Sequence, residues 1–137
     1  MSSLRTAYVA RPSAPGLARQ DVRAWAAFLP DEASIDLVIA VNELVTNSVR
    51  HGPDRGLVRL GITLLTEDML FVEVYDEGAC PSAARTPEAG TGRGLRMVSC
   101  LAADWGVSDD PKRTWFTLAT SARAAGSELH TGRGRSV

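Results

Sequence analysis

Residues 43–51 read ELVTNSVRH and place three polar side chains at intervals of four. Four residues advance an α-helix by slightly more than one turn, so Glu43, Asn47 and His51 share one helical face. Apolar residues flank this face on both sides: Ile35, Val38, Ile39, Val45 and Val49 on one, and Leu37, Val41 and Leu44 on the other. We therefore expect the acid and the amide to be half-buried, where a polar group needs a partner. A Mg²⁺–phosphate group is a suitable partner, and a solvated polar stripe on an ordinary helix is the alternative.

A strand that ends in an acidic turn follows at residues 70–78, which read LFVEVYDEG. Leu70, Val72 and Val74 alternate with more polar residues, as in a half-buried strand. Asp76 has the same parity as these residues, so it is predicted to point toward the core side of the sheet. An unpaired carboxylate is costly there. Asp76 is therefore the strongest single-residue indication of a ligand.

A glycine-rich segment, GTGRGL at residues 90–95, is predicted to open a helix that extends from about Gly94 to Ala103. A dinucleotide fingerprint would follow directly on a buried strand, and a P-loop would contain Gly-Lys-Ser/Thr; neither condition is met. Glycines allow backbone N–H groups to approach phosphate oxygens, and a helix N-terminus favours negative charge. The alternative is a plain flexible loop.

In order and approximate spacing, these three segments resemble the GHKL ATPases, which include gyrase-type ATPase domains, Hsp90, histidine kinases and anti-sigma-factor serine kinases. The chain is most similar to the small ATP-binding regulators of the anti-sigma kinase type that are abundant in actinobacteria. The resemblance covers roughly residues 5–119. The most telling runs are VNELVTNSVRHG (41–52), LAADWGV (101–107) and KRTWF (112–116).

The resemblance implies a role for several side chains. Asn47 would bind Mg²⁺ through its amide oxygen, and Glu43 would be the general base that activates the nucleophile. Asp76 would accept a hydrogen bond from the adenine amino group, with Gly78 leaving room for the base. Thr114 matches a threonine that helps to hold adenine, often through water.

The phosphates would be enclosed by the glycine-rich segment, through Gly90, Gly92, Gly94 and Leu95. His51 lies where relatives often have a histidine or lysine near the phosphates, although a histidine at a helix C-terminus can simply complement the helix dipole. One departure from the family pattern is that Asp-x-Gly-x-Gly becomes DEGAC at residues 76–80. Loss of the second glycine bears on lid closure, and so on catalysis more than on nucleotide binding.

Composition limits the alternatives. A chain of 137 residues with 45% hydrophobic and 23% charged residues is expected to form one globular domain. A formal net charge of −1 gives no reason to expect nucleic acid or membrane partners. No apolar run approaches the roughly 20 residues of a membrane span, and no signal-peptide core follows Met1. The two cysteines have no metal-ligand spacing, so a reduced, cytoplasmic protein is expected.

The predicted fold is an α/β (α+β) two-layer sandwich, in which helices cover one face of a mixed, mostly antiparallel sheet. Residues 1–120 are expected to form the ATP-binding domain, and residues 121–137 a flexible tail. Three aromatic residues are expected in the core: Trp105, Trp115 and Phe116.

The leading functional hypothesis is an ATP- and Mg²⁺-dependent serine/threonine kinase of the anti-sigma-factor type. It would hold a sigma factor inactive and phosphorylate an anti-anti-sigma partner, as a homodimer by family resemblance. One alternative is a nucleotide-binding module that controls a partner without phosphoryl transfer. Two others are a detached histidine-kinase catalytic domain and a scaffold that has lost its nucleotide.

Overall fold

Strands and helices alternate along the part of the chain that the structure, a computed structural model, describes: residues 2–51, 56–77, 93–109, 112–121 and 133–136. The elements are β1 (Ser3–Val9), α1 (Ala14–Trp25), a short 3₁₀ turn (Ala26–Phe28), α2 (Asp31–His51), β2 (Leu57–Thr66), β3 (Met69–Glu77), α3 (Arg93–Leu101), β4 (Asp104–Asp109), β5 (Lys112–Ala119) and β6 (Arg133–Ser136).

The strands form one sheet in the order β1-β2-β3-β5-β4-β6. Neighbouring strands are antiparallel except for β4 and β6, which are parallel. The long helix α2 packs against both α1 and α3 and contacts β2, β3 and β5. The arrangement confirms the predicted two-layer fold with a mostly antiparallel sheet.

The core lies between the sheet and the helices because one face of each central strand is apolar. Val58, Leu60 and Ile62 on β2 are at most 2% exposed. They pair in register with Asp76, Val74 and Val72 of β3, respectively. Burying one such aliphatic side chain contributes about 1.5–3 kcal/mol. Residues of α2 and β5 complete this core: Leu37, Val41, Leu44, Val45, Phe116 and Leu118.

The apolar spacing of Val22 and Trp25 predicts a first helix from about Leu17 to Leu29. The observed α1 begins earlier, at Ala14, and the chain from Ala26 to Phe28 is a 3₁₀ turn instead of a continued α-helix. Pro15 lies in the first turn of α1. Proline is accepted there because the first N–H groups of a helix have no intrahelical partner. Pro30 lies between the turn and α2. No helix in the described ranges is long and apolar enough to span a bilayer.

The structure differs from expectation at three further places. Trp115 is not in the core between the layers: it lies in register with Gly106 and Glu73 and stacks on Phe71 on the opposite face of the sheet. Ile35 is 59% exposed, although its apolar character suggested a buried flank of α2. Strand β6 forms within the segment predicted to be a flexible tail, because β4 offers it an open edge. The domain boundary at residue 120 stays a prediction.

One hydrogen bond links the edge of the sheet to the helical layer. The Tyr8 hydroxyl of β1 donates to Oδ2 of Asp21 on α1 at 2.7 Å, and Tyr8 is 6% exposed. The pKa of this hydroxyl is raised, chiefly by burial and next by its bond to Asp21. The folded state therefore holds the proton more tightly than the unfolded chain does.

Tyr8→Phe is expected to lower the free energy of unfolding at neutral pH by about 1 kcal/mol, the net value of one hydrogen bond. The contribution of Tyr8 is complete below the unfolded-chain pKa of about 10 and is lost as the pH rises beyond it. The wild type should therefore lose stability more steeply than Tyr8→Phe in alkaline solution. Urea denaturation across this pH range measures both effects, with Tyr75→Phe on the other face as the control. Equal stability of wild type and Tyr8→Phe at neutral pH would contradict this account.

Candidate functional site

Helix α2 places the three polar residues of the opening motif at the boundary of the core. Glu43, Asn47 and His51 are all half-buried, as their spacing predicts. Leu44 is 2% exposed and Val41 is fully buried. The apolar side of α2 thus lies on the sheet, and the polar residues remain beside it, accessible to a ligand in the helical layer.

The opposite side of α2 is held by α1. Arg19 donates from Nη1 to Oδ1 of Asn42 at 2.5 Å, and this contact is partly buried. Asn42 immediately precedes Glu43, and consecutive residues lie about 100° apart around a helix. The bond therefore fixes the rotation of α2 and keeps α1 on the side away from the polar residues. The pairing joins residues 23 positions apart, and no local pattern in the sequence indicates it.

Asp76 lies on the helix-facing side of β3, as its parity predicts. It pairs in register with Val58 of β2, which is 1% exposed and itself pairs with Tyr8 of β1. Asp76 is half-buried, and its Oδ1 atom is inaccessible to solvent. A carboxylate in this position can accept a hydrogen bond from a ligand bound between the sheet and the helices.

Thr114 of β5 occupies the same face of the sheet. It pairs in register with Val74 of β3, two residues before Asp76. Diagonal neighbours on adjacent strands lie about 7–8 Å apart, within the span of a planar base. Helix α2 contacts both β3 and β5, so it lies on the same side of the sheet as these two strand residues.

The glycine residues predicted to contact the base or the phosphates are described only in part. Gly78, Gly90 and Gly92 lie outside the described residues. Gly94 and Leu95 fall in the first turn of α3, one and two residues after the helix start at Arg93. The helix packs against α2 through its buried Val98. The first N–H groups of a helix lack intrahelical partners and favour an anion.

The residues that the structure describes do not form a complete site of protein side chains for a divalent cation. Among them, no group of three or more His, Cys, Asp or Glu side chains could hold a metal ion. Mg²⁺ often takes only one or two protein ligands and completes its shell with water and phosphate oxygens. A single amide oxygen from Asn47 fits this second mode.

One carboxylate in the N-terminal half of α2 is in a place that disfavours its negative charge. The pKa of the Asp36 carboxyl is raised, chiefly by burial and next by the negative charge of Glu32 one turn earlier. The folded state therefore favours the protonated form. Asp36 precedes Glu43 by seven residues, which is close to two turns, so both acids lie on the same side of the helix.

A family model described as a histidine kinase-like ATPase domain matches residues 8–120. Among solved structures, the chain is similar to the RsbU and RsbW domains of Rv1364c from Mycobacterium tuberculosis, with a TM-score of 0.65 and 22% sequence identity. The similarity covers 87% of this chain and 32% of that one, so this chain spans about a third of the solved structure. No curated protein matches the chain significantly.

Asp36→Asn is expected to raise the free energy of unfolding at neutral pH by up to about 0.5 kcal/mol, a small value because solvent still screens the charge of this half-buried side chain. The gain should vanish in acid, below the unfolded-chain pKa of about 4, where the wild-type carboxyl is also protonated. Urea denaturation at both pH values tests this. A variant that is less stable than the wild type at neutral pH would show that the charge is favourable.

Proposed function

Because the chain belongs to the family of histidine kinase-like ATPase domains, we propose that it is an ATP-binding regulator of the anti-sigma-factor type. In this proposal it is a serine/threonine protein kinase that transfers the γ-phosphoryl group of ATP to a partner protein. The observation that carries the proposal is the half-buried Glu43–Asn47 face of α2, on the same side of the sheet as Asp76 and Thr114.

The adenine base is proposed to lie against the helix-facing side of β3 and β5. Asp76 would accept a hydrogen bond from the exocyclic amino group of adenine. Guanine carries a carbonyl oxygen at the corresponding position, which would face the carboxylate unfavourably. Thr114 would add a second contact to the base from β5. A site built to accept this hydrogen bond would be left without its partner by a base that lacks the amino group, so it would discriminate effectively against that base.

The phosphates are proposed to extend from the base toward α2 and the start of α3. Asn47 would hold Mg²⁺, which neutralises charge on the phosphate oxygens when bound. Gly94 and Leu95 would present backbone N–H groups from the first turn of α3. The roles of His51, Gly78, Gly90 and Gly92 in enclosing the nucleotide remain predictions of the family resemblance.

Glu43 is proposed to act as the general base. Its carboxylate would accept the proton of a serine or threonine hydroxyl on the partner as that oxygen bonds to the γ-phosphorus. The bond from phosphorus to the β–γ bridging oxygen breaks, and ADP leaves. The position of Glu43 one helical turn before Asn47 suits a base that lies beside the transferred group.

The partners are proposed from the RsbW-like fold. The chain would hold a sigma factor inactive and phosphorylate a small anti-anti-sigma protein, to which phosphorylation adds about two negative charges and so weakens docking. We further propose that the protein works as a homodimer in the cytoplasm.

A nucleotide-binding module without phosphoryl transfer is the second candidate. The observation that favours it is the DEGAC segment at residues 76–80, which lacks the second glycine of the family pattern. If this change prevents the lid from closing, bound ATP would act only as a conformational ligand. Transfer of phosphate to a partner or to water distinguishes the two candidates.

Asn47→Ala is expected to weaken Mg-ATP binding at least tenfold, about 1.4 kcal/mol, because it removes the amide oxygen that holds the metal. Isothermal titration calorimetry measures this loss. Gln20→Ala is the control: it removes an exposed amide side chain from α1 and should leave binding unchanged. A wild-type protein that is folded and binds no Mg-ATP would refute both candidates, since each requires the nucleotide.

Glu43→Gln is expected to bind Mg-ATP about as well as the wild type, whereas γ-phosphoryl transfer falls about 100-fold or more, the usual contribution of a general base. Transfer of labelled phosphate to a candidate anti-anti-sigma protein, measured together with phosphate release to water, gives the readout. Glu32→Gln, at the exposed start of α2, is the control. Wild-type binding without either reaction would favour the regulatory module over the kinase.

A further inference from the structure

Strand β1 forms one edge of the sheet, and among the described residues no strand lies on its outer side. Its bonds to β2 show which backbone groups point outward. The carbonyl of Ser2 accepts from the N–H of Leu64 at 3.1 Å, and the N–H of Ala10 donates to the carbonyl of Gly56 at 2.9 Å. Successive residues of an antiparallel strand bond alternately to its two sides. Even-numbered residues therefore bond to β2, and the backbone groups that point outward belong to Ser3, Arg5, Ala7 and Val9, which we call the outward residues.

This edge lacks the features that usually prevent strand pairing. Edge strands are commonly very short, or they carry charged residues or proline. Strand β1 has seven residues and no proline. Its one charged side chain is drawn inward, because Nη1 of Arg5 lies 3.7 Å from Oε2 of Glu73 on β3. The opposite edge of the sheet, β6, differs: it has only four residues, which include two arginines and a glycine.

Gly61 of β2 allows Arg5 to lie in this inward direction. A Cβ atom at residue 61 would lie 2.7 Å from Nη1 of Arg5, so a side chain there would displace the guanidinium group. Without that side chain, Arg5 crosses β2 and reaches Glu73. The charge that would otherwise stand beside the free edge is thus held over the sheet.

Helix α1 places apolar residues beside the same edge. The bond from Tyr8 to Asp21 shows that the Asp21 side of α1 faces β1. Leu17 lies four residues before Asp21 and Ala24 three residues after it, so both share this side of the helix. Both are exposed, Leu17 at 48%. An exposed leucine next to unpaired backbone groups offers apolar contact to a strand that pairs with β1.

We propose that β1 pairs with β1 of a second copy of the chain, in the antiparallel direction. The two-fold axis is perpendicular to the sheet and passes between the Thr6 residues of the two copies. The two sheets then form one continuous sheet. This inference rests on the proposed function only in that it supplies the interface of the proposed homodimer, and it requires neither nucleotide binding nor phosphoryl transfer.

The outward residues are complementary to themselves in this arrangement. Ser3 of one copy pairs with Val9 of the other, and Arg5 pairs with Ala7, so every outward N–H and C=O group has a partner. Thr6 faces Thr6 at the axis, which is a favourable cross-strand pair. A register shifted by two residues sets Arg5 against Arg5 in one direction and leaves Ser3 unpaired in the other. Like charges directly opposite each other are destabilising.

A second copy suits this edge better than a strand of an unrelated protein. Because the axis is perpendicular to the sheet, both helical layers lie on the same side of the joined sheet. The exposed side of one α1, with Leu17 and Ala24, then faces the same side of the other α1. An unrelated strand would satisfy the backbone groups and leave Leu17 in water. Pairing about a two-fold axis also closes, because it uses the β1 edges of both copies.

Sedimentation equilibrium of the full chain should show a dimer. Ala7→Pro should give a monomer, because proline removes an N–H group that points outward and leaves the bonds to β2 in place. Leu17→Glu should raise the dissociation constant of the dimer about tenfold or more, since the carboxylate would lose water in an apolar contact. Ile35→Glu makes the same kind of change at an exposed residue of α2 and should leave the dimer intact. Circular dichroism checks that each variant is folded.

A single cysteine at residue 6 tests the register. Residues that face each other in a non-hydrogen-bonded antiparallel pair have Cα atoms about 4.5 Å apart, within the range of a disulfide. Thr6→Cys in a chain that also carries Cys80→Ser and Cys100→Ser should therefore form a disulfide-linked dimer on mild oxidation. The Cys80→Ser chain is the control: it keeps Cys100, which is exposed on α3, and should not cross-link.

The outcomes separate this interface from the nucleotide site and from other surfaces. Asn47→Ala should remain a dimer, so failure of the nucleotide site does not affect the result. A wild type that is monomeric at every concentration would overturn the proposal, as would a dimer of unchanged affinity in Leu17→Glu together with no cross-link through residue 6. A dimer that dissociates in Ile35→Glu and persists in Leu17→Glu would overturn it in favour of an interface on α2.

Discussion

The packing of α2 on the sheet is the constraint on which the rest of the structure depends. Its apolar side, with Leu37, Val41 and Leu44 at most 2% exposed, covers the central strands. A helix packed in this way cannot turn its polar residues fully into solvent or fully into the core. Glu43 and Asn47 therefore remain half-buried, beside the layer boundary where a charged ligand can reach them. The Arg19–Asn42 bond supports the same rotation from the α1 side.

Strand alternation gives the two faces of the sheet separate roles. On β3, Val72, Val74 and Asp76 point toward the helices, whereas Phe71, Glu73 and Tyr75 point away. One strand thus contributes a half-buried carboxylate, Asp76, to the proposed nucleotide site and a second carboxylate, Glu73, to the opposite face of the sheet. Because successive side chains project to opposite sides, a single run of nine residues contributes to both.

Several structural features followed from local patterns. Val58, Leu60 and Ile62 alternate with Arg59 and Gly61, a pattern typical of a half-buried strand that agrees with the observed β2 and its buried face. The parity of Asp76 predicted the side to which it points. Trp115 was predicted to lie in the core because a large aromatic residue is usually buried. The alternation that buries Phe116 instead places the adjacent Trp115 on the other face of the sheet. Strand β6 was missed because its four residues, Arg133–Ser136, have no apolar alternation, and a neighbouring edge alone orders them.

The sequence by itself determined the three segments that are proposed to bind the nucleotide, their order and the face that each residue takes within its own element, because helical and strand periods are local properties. The tertiary structure alone decided which faces meet. It joined Arg19 to Asn42 and Tyr8 to Asp21 between elements, and it brought Arg5, Glu73 and Arg113 together from three strands. Such contacts depend on strand order and on register between distant segments, and no periodicity within a single element encodes either.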